Sequence, residues 1–240
     1  MVSTRPEHEA ADNEYESFRA LARLSPEDMV HLPLEEVDLL GSFTAGDVAG
    51  IVIGGSPYDV ATPTAPRTRT QVQVESQIGE LLAAALKEGV PVLATGFGLE
   101  VLARYLGTET TSAFGEDLGS ADVFLTEEGR KDPVLAGLPE AFTAFVGHHE
   151  GAVTVPEHAV LLVSSPDCPV QMIRVGTTVY GTQFNPELDA AHFTRRVSAY
   201  HDAGYGDPGQ IEEVLNEARR SGGGVAGAIV RNFVEHFSRN

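Results

Sequence analysis

Basic side chains and cysteine are what this sequence has least of. Sixteen Lys and Arg stand against 35 Asp and Glu in 240 residues, a formal net charge of −19. Nucleic acid and anionic membrane are both held by basic surface patches, so this balance argues against either as a partner and favours solubility. The single cysteine, Cys168, excludes an internal disulfide and any zinc cluster built from several cysteines. No apolar run approaches the ~18 to 20 residues needed to cross a bilayer, so no membrane partner is expected. The opening Met1-Val2-Ser3-Thr4-Arg5-Pro6-Glu7 has no basic start followed by an apolar stretch, which implies no secretory signal and a cytoplasmic location. The length suits one α/β domain over 1–240, with a core at about 48–187 and a helical extension at 188–240.

What is present alternates between short apolar runs and helical periodicity. Val2 to Arg5 can form only a short first strand, and Glu7 to Ser25, with Tyr15, Phe18, Ala22 and Leu24, suits a surface helix. Val48 to Ile53 is β-branched and closes on Gly54-Gly55, the pattern of a buried parallel strand entering a loop. A polar loop through Pro57, Pro63 and Pro66 follows. Val74, Ile78, Leu81, Leu82, Ala85 and Leu86 recur at helical spacing from Arg69 to Lys87, and Gly89 stands where a helix stops. Val90 to Thr95 is a second buried strand. Gly96-Phe97-Gly98 then leads into a helix carrying Leu99, Leu102 and Leu106. Residues 120–184 should be strand-rich, and Ala190 to Ala203, Ile211 to Arg220 and Val225 to Phe237 should be helices, separated by Gly204, Gly206, Pro208 and Ser221 to Gly224.

Three segments in this order carry a resemblance: Ile51-Val52-Ile53-Gly54-Gly55-Ser56-Pro57, Pro91-Val92-Leu93-Ala94-Thr95-Gly96-Phe97-Gly98-Leu99-Glu100, and Val179-Tyr180-Gly181-Thr182-Gln183-Phe184-Asn185-Pro186-Glu187. They resemble the glycine loop, the Gly-x-Cys-x-Gly-x-Gln nucleophile turn and the Gln-Phe-His-Pro-Glu segment of class I glutamine amidotransferases. The likeness is strongest to stand-alone members similar to the amidotransferase part of GMP synthase. Gly147-His148-His149-Glu150 and Pro169 to Arg174 add support. The resemblance implies a three-layer, flavodoxin-like α/β fold with a mostly parallel central sheet and the site at the carboxyl edge of its strands.

In that family a thiolate at position 96 would be activated by a histidine at position 185 and oriented by Glu187. Here the two positions hold Gly96 and Asn185. Asparagine neither titrates near neutral pH nor takes up a proton. Glycine is coherent at a turn whose backbone is costly for any side chain. The fold can therefore outlive the chemistry.

No other group offers itself as a clear substitute. Cys168 lies in Ser164-Ser165-Pro166-Asp167-Cys168 with no basic neighbour or following helix, and reads as a bystander thiol. Thr95 should point away from the cleft. Glu100 stands where the family has glutamine; it adds negative charge and is expected to cap the first turn of its helix. His148, His149 and Glu150, with His192 and Asp189, suggest a metal, but adjacent histidines on an extended segment point apart, so surface or hydrogen-bonding roles and no metal are expected. Gly54, Gly55 and Ser56 present backbone amides that can cradle an anion. With Phe97, Glu100, His148 and Gln183 they form the candidate ligand-binding set.

Three readings follow. The first is a non-catalytic homologue that binds a small molecule, an amino acid or another carboxylate, or else a protein partner or a second copy of itself, without a cofactor. The second is an enzyme of different chemistry that uses Glu187, Glu100 or His148 as acid or base. The third, a conventional amidotransferase passing ammonia to a synthase, is opposed by the missing thiol and imidazole.

Overall fold

The computed structural model describes residues 1–37, 39, 47–60, 67–202, 208–221 and 224–238. Pro63, Pro66, Gly204, Gly206, Gly222 and Gly223, breakers in the sequence pattern, lie outside the described residues. Eleven strands are present among those described: β1 (Val2–Ser3), β2 (Leu32–Pro33), β3 (Ile51–Ile53), β4 (Val92–Thr95), β5 (Thr110–Thr111), β6 (Glu116–Leu125), β7 (Ala141–His148), β8 (Gly151–Ala152), β9 (Ala159–Ser164), β10 (Met172–Val175) and β11 (Val179–Thr182). Six α-helices accompany them: α1 (His8–Ala22), α2 (Arg69–Glu88), α3 (Phe97–Tyr105), α4 (Ala190–Asp202), α5 (Pro208–Ser221) and α6 (Gly227–Phe237).

Nine strands form one sheet in the order β2-β1-β3-β4-β11-β10-β9-β6-β7. From β2 to β11 all neighbours are parallel; from β11 to β7 all are antiparallel. The parallel half carries the glycine loop and the turn at Gly96, whereas the antiparallel half is the strand-rich section anticipated from the short apolar runs. A separate pair, β5 and β8, sits beside it.

Alternation along the central strands explains the layers, because successive side chains leave a strand on opposite faces. Val92 and Ala94 of β4 join one core with Val74, Ile78 and Leu82 of α2 and Leu99 and Leu102 of α3. Leu93 of the same strand joins the other core with Phe18 of α1, Tyr180 of β11, and Ile229, Val230 and Phe233 of α6. Both faces are thus covered, which is why these runs read as continuously apolar. A third, smaller core of Phe145, Leu188, Phe193, Val197 and Ala218 seats α4 and α5 on the antiparallel wing.

The helix signals act as expected. Thr68 caps α2 by accepting from the Gln71 N–H at 3.0 Å, and Gly89 ends it in the left-handed region at φ 72°. No described helix is long and apolar enough to cross a membrane.

The turn between β4 and α3 is built on Gly96, at φ 52° and ψ −115°. Its N–H donates to Thr182 O at 2.7 Å, tying β4 to β11, and its carbonyl accepts from Leu99 and Glu100, starting α3. A side chain is strained at such angles whatever space surrounds it. Gly96→Ala is expected to lower unfolding free energy by about 1–3 kcal/mol, read from urea denaturation midpoints at unchanged slope; an Ala variant as stable as the parent would contradict this account of the turn.

Candidate functional site

The carboxyl edge of the parallel strands brings the glycine loop, the Gly96 turn and the segment after β11 into one cleft. Gly55, Gly96, Phe97, Gln183, Asn185 and His148, all expected at the site, line a cavity of about 50 Å³. That is room for a few water molecules or the head group of a small acid. A Cβ on Gly96 would meet only the Cα of Gly55, at 3.7 Å. The turn therefore has space for a side chain, although its backbone angles favour glycine.

Four residues that the sequence reading did not single out complete the wall or stand behind it: Arg5, Glu14, Arg196 and Tyr200. Arg5 follows β1 and pairs with Glu14 of α1, at 2.9 Å from Nε and 2.8 Å from Nη2 to the same oxygen, and its Nη1 donates to the Tyr200 hydroxyl. Arg196, on α4, donates from Nη1 to Glu187 Oε1 at 2.6 Å and lies 3.7 Å from Glu14 Oε1. Arg5, Glu14, Glu187 and Arg196 are all buried. Burial opposes the charge on Arg5, but Glu14, with Tyr200 and Glu187 adding to it, more than offsets this and holds the guanidinium protonated. Burial also raises the Glu187 carboxyl, against the pull of Arg196. Glu187, which the resemblance assigns to orienting a histidine, is held instead by an arginine.

The glycine pair has an equally specific job. An added Cβ at Gly54 would lie 2.1 Å from Glu14 Oε2, and one at Gly55 would lie 2.7 Å from Arg5 Nη2. Only residues without side chains leave room for the buried ion pair. Of the three amides expected to cradle an external anion, two are engaged within the protein: Gly54 N–H donates to Val2 O, and Gly55 N–H donates to Glu14 Oε1 at 3.1 Å. The anion at this loop belongs to the protein itself. Ser56 turns its hydroxyl to Thr4 O.

Glu100 also departs from expectation. Rather than capping α3 from the surface, it is 4% exposed and its carboxyl accepts from Gln183 Nε2 at 3.1 Å. A capping carboxylate needs a side chain folded back over the open end of the helix, and this one is directed into the sheet edge. Burial, with Glu150, Asp59 and Glu75 adding repulsion, holds it well above the usual carboxylate range despite the Gln183 hydrogen bond.

The remaining candidates separate as their local geometry demands. Thr95 donates to Ile53 O at 3.3 Å within the sheet, away from the cleft. His148 and His149 diverge: His149 is largely exposed and meets Asp59 Oδ1 at 2.8 Å, a contact that raises its pKa, while His148 is buried between Glu150 O at 2.7 Å and Glu116 Oε2 at 2.8 Å. His192 closes on Asp189 at the start of α4, far in role from either. Cys168 is fully buried, and burial, followed by the nearby Glu116 carboxylate, pushes its thiol up to about 12. It is no substitute for the missing nucleophile.

Comparison with known proteins agrees with this architecture. A GMP synthase (glutamine-hydrolyzing) of Aeropyrum pernix is 28% identical over 166 residues, covering 69% of this chain and 29% of the relative. A GMP synthase (glutamine-hydrolyzing) subunit of Sulfurisphaera tokodaii is 29% identical over 139 residues, covering 58% of this chain and 66% of the relative. The chain thus spans under a third of one of these relatives and about two thirds of the other. A solved glutamine amidotransferase of Thermotoga maritima superposes with a TM-score of 0.74 at 19% identity, covering 100% of this chain and 98% of that one, which shows the shared fold. Residues 13–198 match the model of the glutamine amidotransferase class-I family, and with more than half of its length matched the chain belongs to that family.

Proposed function

We propose that this family member has no glutaminase activity and binds a small carboxylate, such as an amino acid, in the cleft between the Gly96 turn and α4. The observation that carries the reading is the state of the three triad positions: no thiol at Gly96, no imidazole at Asn185, and Glu187 engaged by Arg196. Nucleophile, base and orienting acid act as a unit; the first two groups are absent, and the third, Glu187, is retained with one oxygen on Arg196.

Arg196 supports the choice of ligand. Its Nη1 serves Glu187, but Nε and Nη2, the adjacent pair of donors that matches a carboxylate two-to-two, are buried without a partner among the described residues. Buried donors left unpaired cost about 1–3 kcal/mol each, more when charged, so a bound anion gains from them. The N-terminus of α3, at Gly96 and Phe97, adds its positive dipole end to the same cavity. Glu187, Glu100 and His148, the groups that a different chemistry would draw on, are each held by a buried partner, which favours binding over acid–base turnover.

Glutamine hydrolysis is expected to stay at background in a coupled ammonia assay, since loss of a catalytic nucleophile typically costs on the order of a millionfold in turnover. Turnover near ~0.1 per second, within reach of slow enzymes, would overturn the proposal. Thermal-shift screening of amino acids and short dicarboxylates should find at least one that raises the melting temperature of the parent. Asn185→Asp, which puts a negative charge in the cavity, should weaken that ligand by at least about tenfold; undiminished binding would remove the cleft from consideration.

Glu100 allows a test by pH. A carboxyl whose pKa rises on folding contributes stability that is complete below its ordinary value of 4.5 and is lost as pH climbs through the folded value. Glu100→Gln keeps an acceptor for Gln183 and never ionises. Its melting temperature should therefore gain on that of the parent as pH is raised from about 4 to about 8. A difference that stays constant across this range would show that Glu100 carries no such penalty.

A further inference from the structure

Away from the glycine loop, three chemically distinct side chains converge where the antiparallel wing meets the cleft. Glu116 opens β6 and His148 closes β7, and the two are direct cross-strand partners in the register of that pair. Cys168 comes from the turn between β9 and β10, held in place by Ser165, whose hydroxyl accepts from Cys168 N–H at 3.0 Å. One oxygen of Glu116, one ring nitrogen of His148 and the sulfur of Cys168 lie within 4.8 Å of one another. Tetrahedral bonds of ~2.0–2.3 Å would set such donors about 3.3–3.8 Å apart, a displacement of an ångström or less for each side chain.

The hydrogen bonding around these groups is what sets them apart from a chance cluster. His148 Nδ1 faces Glu150 O at 2.7 Å, and a carbonyl can only accept, so Nδ1 carries a proton. Nε2 then directs its other position at Glu116 Oε2, 2.8 Å away. That spacing is a hydrogen bond's, so a metal ion would take the place of the shared proton and open the pair to the wider spacing of two ligands. A ring N–H fixed by a backbone carbonyl is the usual way in which a protein aims the opposite nitrogen of a histidine at a metal. Glu116 is braced as well: Gln171 Nε2 donates to the same oxygen at 2.6 Å and to Ser165 Oγ at 3.1 Å. Gln171 is fully buried, and its Oε1 has no partner among the described residues.

We propose that Glu116, His148 and Cys168 form a binding site for a divalent transition-metal ion of borderline softness, with zinc the best match. Sulfur, imidazole nitrogen and carboxylate oxygen together suit that class and disfavour calcium or magnesium, which take oxygen ligands. A thiolate and a carboxylate would balance the two positive charges, leaving the buried site neutral. The proton released from sulfur on binding would leave for solvent. Three protein ligands leave a fourth position, which water would fill.

Because Cys168 is the only thiol in the chain, the parent protein gives the decisive signal by itself. Titration with cobalt(II) alone is expected to produce a sulfur-to-cobalt charge-transfer band that saturates at one ion per chain and is bleached by zinc(II). Glu116→Gln and His148→Gln should each weaken cobalt by at least about tenfold, the loss seen even for outer-shell partners. X-ray absorption of the parent complex should show one sulfur at about 2.3 Å among nitrogen and oxygen neighbours at about 2.0–2.2 Å, a check that needs no variant to fold. Absence of the band at about 1 mM cobalt, a concentration at which even a weak site of ~4 kcal/mol would be half filled, would overturn the proposal. So would parental affinity in both variants.

Discussion

Glu14 is the residue on which the arrangement of the cleft depends. Its carboxylate receives the Arg5 guanidinium, accepts the Gly55 N–H, and stands within reach of Arg196. Through these contacts the end of β1, α1, the glycine loop and α4 are bound into one buried electrostatic unit. Such a unit tolerates no partial loss, because removing one partner leaves an unpaired charge at a cost of about 3–5 kcal/mol. The glycine pair follows from it, since any side chain at Gly54 or Gly55 would collide with Glu14 or Arg5.

The Glu187–Arg196 pair adjoins Glu14 and belongs to the same buried arrangement. Family membership is shown by the match of residues 13–198 to the family model, and Glu187, the acid that the resemblance assigns to orienting a histidine, pairs with an arginine from the helix that follows it. The internal carboxylate at the Gly55 amide holds the loop in an anion-bound form without an external ligand. Beside this unit lies the cavity, with Arg196 in its wall and the Nε and Nη2 of that residue buried without a partner among the described residues. Arg196 and Tyr200, both on α4, line the cavity, so that helix contributes to the site as well as covering the sheet.

The turn at Gly96 is held by its backbone alone. Its backbone angles are those of a strained junction, and its hydrogen bonds to Thr182, Leu99 and Glu100 serve the sheet and the helix, not a substrate. Glycine occupies those angles at little cost. The structural role of the position thus needs no side chain.

Periodicity and punctuation made the parallel strands, α1 to α3 and the C-terminal helices legible, because both depend on local spacing: period 2 or unbroken apolarity in strands, 3.6 in helices, glycine at α2's end. The motif order around Gly54, Gly96 and Asn185 located the cleft, and the divergence of His148 and His149 followed from strand geometry alone. The short β2 and β5 and the start of β6 at Glu116 carried too little pattern to register. Which charges meet was beyond local reasoning. Arg5 pairs with Tyr200 across 195 positions, and Arg174 meets Asp132 across 42; Glu116, His148 and Cys168 share a site only because two strands and a turn bring them together. Local sequence determined the elements and the glycine turn between β4 and α3. Only tertiary packing decided the partners of the buried charges, because the energy of a charge depends on what surrounds it in space and that information is not carried by its neighbours in the chain.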